Sequence, residues 1–134
     1  MAKQFTLGKN ERLKSRKSIE QLFSDGKRFT LHPYLVYYNF TTPITRHSSQ
    51  LIQFGVGAGT KNFKKAVDRN KIKRLTREAY RLQKISLQEK LKTKNTQLHL
   101  FFIYTAKELP EYNEVYKKVA SILKKMDTIS DGVK

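Results

Sequence analysis

The chain has 134 residues and no cysteine, and its 28 Lys and Arg outnumber its 11 Asp and Glu to give a formal charge of +17. The absence of cysteine excludes disulfides, thiolate zinc sites and cysteine nucleophiles. Apolar residues make up 38% of the chain, including 8 Phe and 7 Tyr, which is enough for a folded core rather than a disordered polycation. We therefore expect a single domain, residues 1–134, whose excess charge favours a polyanionic partner.

Hydropathy gives no sign of a membrane segment. No apolar run approaches the roughly 18 residues of a spanning helix, and the first residues lack the apolar stretch of a signal peptide. We expect no membrane partner and a cytoplasmic site of action. Residues 1–11 and 127–134 are expected to be mobile ends.

A short helix is predicted over Arg16–Asp25, near the start of the chain. Ile19 and Phe23 share one of its faces, and Gly26 stands where a helix often ends. The next segment, Lys27–Pro33, is predicted to be a turn or an extended connector.

Two strands with alternating patterns follow the connector. Tyr34–Phe40 is rich in residues that favour strands, and its even-numbered side chains point to one face while Tyr37 points to the other. Thr41–Ser49 is polar and predicts a hairpin connection. Leu51–Ala58 is the second strand, with its apolar side chains toward the core and two glycines on the opposite face.

The second half of the chain predicts two long helices around one strand. The first helix runs from about Lys64 to Lys84, and the charged stretch Ser86–Thr96 is expected to prolong it before a loop. Gln97–Ala106 is the most apolar strand and is predicted to be central and buried on both faces. A helix over Pro110–Met126 carries an apolar stripe for the core. The predicted order is α-β-β-α-β-α, an α+β layer of helices on a small sheet.

The basic segment of residues 61–81 carries nine Lys or Arg and two acidic residues. On a helix, one face is apolar and contains Ile72, Leu75, Ala79 and Leu82. The opposite face is polar and basic and contains Asn70, Lys73, Arg74, Arg77 and Arg81. This face forms a cationic row about 15 Å long. A solubilising face usually mixes both signs of charge, so this one predicts binding to a phosphate backbone.

Nothing in the sequence predicts an active site of the protein's own. The three histidines, His32, His47 and His99, lie in different elements, and none has the spacing of a metal site. Glu108 and Glu111 are the nearest paired acids, and they suit the start of a helix. Two-metal phosphodiester chemistry needs clustered acids. The sequence therefore predicts no catalytic and no metal-binding residue in the protein.

Exposed aromatic side chains would complement the cationic helix by stacking on unpaired bases. If the first helix packs beside the first strand, Ile19, Phe23 and Tyr37 line a cleft wide enough for a single strand of RNA. The same three side chains suit a core equally well, and the residues alone leave these alternatives open. A duplex-DNA binder is disfavoured, because no helix-turn-helix spacing precedes the basic helix.

Ala66–Leu75, with the sequence AVDRNKIKRL, closely resembles the basic "RNR" helix of the bacterial ribonuclease P protein subunit family. The similarity continues through Arg77–Arg81. Two further stretches also match the family: the opening at Arg12 and Leu13, and Phe54–Ala58, with the sequence FGVGA. The resemblance covers about residues 12–126.

This resemblance implies a two-layer sandwich of helices on a small mixed sheet, similar to one domain of a ribosomal protein, with a left-handed βαβ crossover. It also implies the protein subunit of an endoribonuclease that removes the 5′ leader from precursor tRNA. Catalysis and most of the bound Mg²⁺ would belong to the RNA subunit, with no cofactor in the protein alone and no obligate protein partner. The alternative is a structural module that binds ribosomal RNA, as a ribosomal protein does.

The resemblance assigns roles to two sets of residues. The side chains expected to contact the catalytic RNA are Lys61, Lys64, Lys65, Arg69, Asn70, Lys73, Arg74 and Arg77. The side chains expected to line the cleft for the 5′ leader of precursor tRNA are Ile19, Phe23 and Tyr37.

Overall fold

The computed structural model describes residue 13 and residues 16–41, 52–94 and 96–131. In chain order the elements are α1 (Arg16–Asp25), β1 (Lys27–Leu31), β2 (Tyr34–Thr41), β3 (Ile52–Ala58), α2 (Ala66–Gln83), α3 (Ile85–Lys94), β4 (Gln97–Tyr104) and α4 (Tyr112–Asp131). The α+β class is confirmed, and α1 has the predicted bounds. In the part of the chain that the structure describes, no helix combines the length and the apolarity needed to cross a bilayer.

Strand β1 lies where the sequence predicted a connector over Lys27–Pro33, so that prediction is wrong. The strand pairs antiparallel with β2 along its whole length. Phe29 packs against the core, and Lys125 Nζ lies 4.5 Å from the centre of its ring. Lys27 and Arg28 are exposed at this edge of the sheet, where charged side chains discourage pairing with another chain. A strand of five residues with a polar outer face has too little hydrophobic alternation to be recognised from its sequence.

The sheet has the order β1-β2-β4-β3, with β3 parallel to β4 and the other neighbours antiparallel. The predicted hairpin between β2 and β3 is therefore wrong, although residues 42–51 of that connection lie outside the described ranges. β4 is the most apolar strand and is central, as predicted, but its place between β2 and β3 was not predicted. The parallel pair needs a crossover, which α2 and α3 supply. Its left-handed sense stays a prediction.

The hydrophobic core lies between one face of the sheet and the helices α2, α3 and α4. Phe54 of β3 stacks on Tyr80 of α2, with ring centroids 4.0 Å apart and an angle of 6° between the rings. Along β4 the burial alternates: Leu100 and Phe102 are fully buried, whereas Phe101 is only half-buried. The predicted burial of both faces of β4 is therefore correct for one face only.

Helix α2 buries a face that differs in part from the predicted one. Ile72 and Ala79 are buried as expected, together with Thr76 and Tyr80. Leu82 is 39% exposed, so this member of the predicted apolar face lies outside the core. At about 100° per residue, Leu82 lies roughly 110° from the centre of the face that the buried residues define.

The stretch predicted over Ser86–Thr96 forms a separate helix, α3, instead of prolonging α2. The break comes at Lys84, whose side chain is buried. Lys90 of α3 bridges to Asp127 of α4, with Lys90 Nζ 3.1 Å from Asp127 Oδ1. The break at Lys84 thus separates α2 from α3, and α3 packs against α4.

Helix α4 extends past the predicted Pro110–Met126 and ends at Asp131, inside the segment that was expected to be a mobile end. Ile129 packs against the core, and the buried Ser130 hydroxyl donates a hydrogen bond to a carbonyl one turn earlier. These contacts explain the longer helix. Tyr116, one of the large apolar side chains of this helix, is 39% exposed, so the stripe predicted for the core is not buried throughout.

A buried hydrogen-bond chain joins β2 to α2 and predicts unequal effects of two substitutions. Thr76 Oγ1 donates to Ile72 O, so the Tyr34 hydroxyl, 2.7 Å away, donates to Thr76 Oγ1. Burial raises the pKa of Tyr34 to about 12. Tyr34→Phe removes one hydrogen bond and should cost about 0.5–1.5 kcal/mol, whereas Thr76→Val strands the buried hydroxyl and should cost about 1–3 kcal/mol.

Urea unfolding of the two single variants and the double variant measures these costs. Once Tyr34 is Phe, Thr76→Val should cost less than it does in the wild-type chain, because no hydroxyl is left unpaired. Strictly additive costs would contradict the hydrogen-bond chain.

Candidate nucleic-acid interface

The exposed side of α2 carries the cationic row predicted from the sequence. Asn70 and Arg74 are exposed, and Lys73 and Arg77 are partly exposed. The helix is held by its other side, where Ile72 is fully buried. Helix geometry therefore turns the basic side chains away from the core along one continuous surface, which we call the cationic face. Its described members are Asn70, Lys73, Arg74 and Arg77.

The loop of residues 59–65 continues the cationic surface beyond the start of α2. Lys61, Lys64 and Lys65 are exposed. Between them, Phe63 is buried at 6% exposure, and Asn62 Nδ2 donates to Thr105 O over 3.0 Å. The loop is thus anchored by an apolar side chain and an amide while its three ammonium groups face solvent.

Arg69 has a structural contact that the sequence did not predict. Its Nη1 donates to Phe63 O and to Lys64 O, both over 2.8 Å. A guanidinium has five N–H donors, so Arg69 retains donors for a ligand while one nitrogen holds the loop against the start of α2. Its contact with RNA stays a prediction, but its position makes it a support for the lysines of the loop.

The last basic residue of the predicted row, Arg81, is engaged within the protein. Its Nη2 forms an ion pair with the Glu78 carboxylate, and its Nε also donates to that carboxylate. The hydrogen bond to Glu78 raises the pKa of the Arg81 guanidinium. The pair is partly exposed, so salt screens it, yet it lowers the positive charge at the C-terminal end of α2. The cationic face therefore ends at Arg77, about one turn before Arg81.

The second candidate surface lies on the face of the sheet opposite the core, under α1. The structure brings Phe23 and Tyr37 together, with ring centroids 4.6 Å apart and an angle of 42° between the rings. Phe23 is 41% exposed and Tyr37 is half-buried. Ile19 lies one turn before Phe23 on the same side of α1 and is half-buried. We call this surface the aromatic cleft.

Phe101 of β4 belongs to the aromatic cleft, and the sequence reasoning missed it. It lies opposite Tyr37 in the register of β2 and β4, and its ring meets Phe23 edge-on with centroids 5.3 Å apart. The missing information was the strand register. Once β2 and β4 are neighbours, alternation places Tyr37 and Phe101 side by side.

Glycines of β3 make room for the Phe101 ring. A Cβ atom on Gly55 would lie 2.6 Å from Phe101 Cδ2, and one on Gly57 would lie 3.4 Å from Phe101 Cε1. The first distance is a clash and the second a tight contact. The ring thus lies across the bare backbone of β3, and the glycines keep this side of the cleft flat.

The described residues include no cluster of possible metal ligands. Over residues 13, 16–41, 52–94 and 96–131, no three His, Asp or Glu side chains converge in a way that could hold a metal ion. Burial lowers the pKa of the His99 imidazole on the cleft side of β4, which favours its neutral form. His32 is exposed at the turn between β1 and β2, and His47 lies outside the described ranges.

Comparison with known proteins gives one consistent result. The family model described as Ribonuclease P matches residues 7–127. The ribonuclease P protein component of Porphyromonas gingivalis is 34% identical over 119 residues, covering 89% of this chain and 85% of that protein. The component of Chlorobaculum tepidum is 30% identical over 126 residues, covering 90% of this chain and 82% of that protein.

The fold agrees with solved structures as well. The Staphylococcus aureus RNase P protein superposes with a TM-score of 0.62, covering 85% of this chain and 93% of that chain. The sequence identity is 18%, so this likeness supports the α+β architecture and not the roles of single residues.

The contacts of Arg69 predict a separation between structural and ligand-binding cations. Arg69→Ala removes two charged hydrogen bonds to loop carbonyls and should lower the free energy of unfolding by about 1–3 kcal/mol. Arg74→Ala removes an exposed side chain and should change it by less than about 0.5 kcal/mol. Both variants lose one positive charge, so each controls for the other in urea unfolding. Equal destabilisation would contradict the supporting role of Arg69.

Proposed function

This chain belongs to the ribonuclease P protein family, and we propose that it is the RNA-binding protein subunit of that endoribonuclease, assisting removal of the 5′ leader from precursor tRNA. The observation that carries the proposal is the family match over residues 7–127, which includes both the cationic face and the aromatic cleft. The cytoplasm, where precursor tRNA is processed in bacteria, is the proposed site of action.

The RNA subunit is the proposed catalyst, and the protein supplies positive charge. Two folded RNAs repel each other, and a cationic protein between them lowers the salt or Mg²⁺ needed to hold them together. The side chains proposed to bind the catalytic RNA are those of the cationic face and the loop: Lys61, Lys64, Lys65, Arg69, Asn70, Lys73, Arg74 and Arg77.

Mg²⁺ is proposed to be held mainly by RNA phosphates. Mg²⁺ usually keeps several waters and binds through phosphates with at most one or two carboxylates, and no group of three His, Asp or Glu side chains among the described residues could hold a metal ion. The protein's own contribution is therefore binding and positioning. No obligate protein partner is required by this arrangement.

The aromatic cleft is proposed to hold the 5′ leader. Phe23 is the most exposed of its aromatic side chains at 41%, and it lies against Tyr37 and Phe101. An unpaired base can stack on this group with little dependence on sequence. The leader would then lie on the face of the sheet opposite α2, so the protein can bind the leader and the catalytic RNA at the same time.

Reconstituted cleavage tests the proposed function. A matching catalytic RNA should remove the leader faster at low Mg²⁺ with the protein than without it. The double variant Lys73→Ala, Arg74→Ala should weaken binding to the catalytic RNA, and the slope of log K against log salt should become shallower by about 1.4–1.8 if each residue neutralises one phosphate.

The matched control removes two exposed lysines from α3 and α4, Lys92→Ala and Lys124→Ala. This control has the same net charge and should retain the wild-type slope. Absence of stimulation by the wild-type protein, combined with preferential recovery of ribosomal RNA after crosslinking in cells, would replace the proposal with the ribosomal-RNA alternative.

The aromatic cleft makes a prediction about leader affinity. Phe23→Ala should weaken binding of precursor tRNA by about 5- to 150-fold, because loss of one stacked base costs about 1–3 kcal/mol. Binding of mature tRNA, which lacks the leader, should be unchanged. Leu82→Ala is a suitable control, since Leu82 on α2 has nearly the same exposure, 39%. An equal loss for precursor and mature tRNA would refute the assignment of the cleft.

A further inference from the structure

A cavity of about 680 Å³ lies outside both surfaces described so far. It is bounded by the turn between β1 and β2, the segment that follows β4, and the first turns of α4. Its walls include His32, Pro33, Tyr104, Leu109, Pro110 and Val115. This volume is within the range of small-molecule sites in proteins, and it is large enough for one nucleotide.

Hydrogen bonds hold the walls of this cavity in place. Thr105 donates to Pro33 O from its backbone N–H over 2.8 Å and from its hydroxyl over 2.9 Å. The Tyr104 hydroxyl donates to Glu108 O over 2.8 Å. The segment after β4 is therefore tied both to the β1–β2 turn and to itself. The cavity is formed before any ligand arrives, which reduces the ordering cost of binding.

The lining combines an apolar floor with a rim of both charges. Pro110 and Val115 are buried in the floor, and Leu109 is 43% exposed. The rim carries three exposed ammonium groups and two exposed carboxylates, those of Lys107, Lys117, Lys118, Glu108 and Glu114. Burial, followed by Glu114 and Glu108, raises the pKa of the Tyr104 hydroxyl.

The cavity also adjoins the loop proposed to bind RNA. Asn62 of that loop donates to Thr105 O, and Thr105 lines the cavity. Lys61, the residue before Asn62, is exposed. An RNA backbone bound along the loop lysines therefore passes close to the opening of the cavity.

We propose that this cavity takes one unpaired guanine of the RNA that the protein binds. The apolar floor suits the flat faces of a base. Guanine presents two adjacent donors, N1–H and N2–H, to a carboxylate, and two acceptors, N7 and O6, to an ammonium group. Adenine, cytosine and uracil do not offer both patterns. The inference rests on the proposed function, since it names a contact within the same RNA partner.

Footprinting of guanines tests the proposal in the full complex. A reagent that modifies N1 and N2 of unpaired guanine is applied to the catalytic RNA with the whole protein chain, with and without precursor tRNA. Comparison of the reactions with and without precursor tRNA shows whether the guanine belongs to the catalytic RNA or to precursor tRNA. The wild-type protein should protect one guanine that is reactive in the free RNA.

Two variants should restore the reactivity of that guanine by about fivefold or more, because one removes apolar contact with the base and the other removes a charged hydrogen-bond acceptor. Leu109→Ser removes the exposed apolar wall, and Glu114→Gln keeps the shape but not the acceptor pair. Their matched controls are Leu82→Ser and Glu111→Gln, at exposed positions outside the cavity lining. Both controls should protect the guanine as the wild type does. Unchanged footprints in Leu109→Ser and Glu114→Gln would overturn the proposal.

A second measurement separates this inference from the proposed function. Guanosine monophosphate at millimolar concentration should shift the backbone amide NMR signals of Leu109 and Val115 in the isolated chain, and uridine monophosphate should shift them much less. Equal responses to both nucleotides, or none, would contradict a guanine pocket even if the protein stimulates leader removal. Failure to bind or stimulate the catalytic RNA would contradict the proposed function whatever the nucleotide titration shows.

Discussion

The parallel pairing of β3 with β4 is the constraint on which the other features depend. Two parallel neighbours cannot be joined by a tight turn, so the chain must leave β3 at Ala58, cross one face of the sheet through α2 and α3, and return at Gln97. The stack of Phe54 on Tyr80 fixes α2 in this crossover. The cationic side of α2 must then face outward, and among the described helices α1 is the one that lies on the opposite face of the sheet.

Local patterns predicted the elements better than their arrangement. Hydrophobic periodicity over short stretches of sequence predicts the bounds of α1, the core faces of β2 and β3, and the basic helix. The place of β4 between β2 and β3, and with it the pairing of Tyr37 with Phe101, depends on contacts between residues 46 to 70 positions apart. No short-range pattern contains that register, which is why Phe101 was missed while Phe23 and Tyr37 were found.

The structure also divides the basic residues into those bonded to other groups of the protein and those left exposed. The sequence alone does not predict this division. Arg69 fastens the loop to α2, Arg81 is paired with Glu78, and Lys90 bridges α3 to α4. Each of these cations has its charge or its donors engaged by groups of the same chain, which offsets part of the self-repulsion of a +17 molecule. Asn70 and Arg74 remain exposed on the cationic face. Only the folded structure separates cations that support the protein from cations presented to a ligand.

The same crossover places two surfaces of different chemistry on opposite sides of one thin sheet. The cationic face suits any phosphate backbone, whereas the aromatic cleft suits only bases that are free to unstack. A folded RNA offers mainly its backbone, and a single-stranded leader offers its bases, so the two surfaces need not compete for one ligand. The loop of residues 59–65 joins them at the end of β3, and Asn62 ties it to the segment after β4. The loop therefore contacts both the start of the cationic face and the segment that follows the central strand of the cleft.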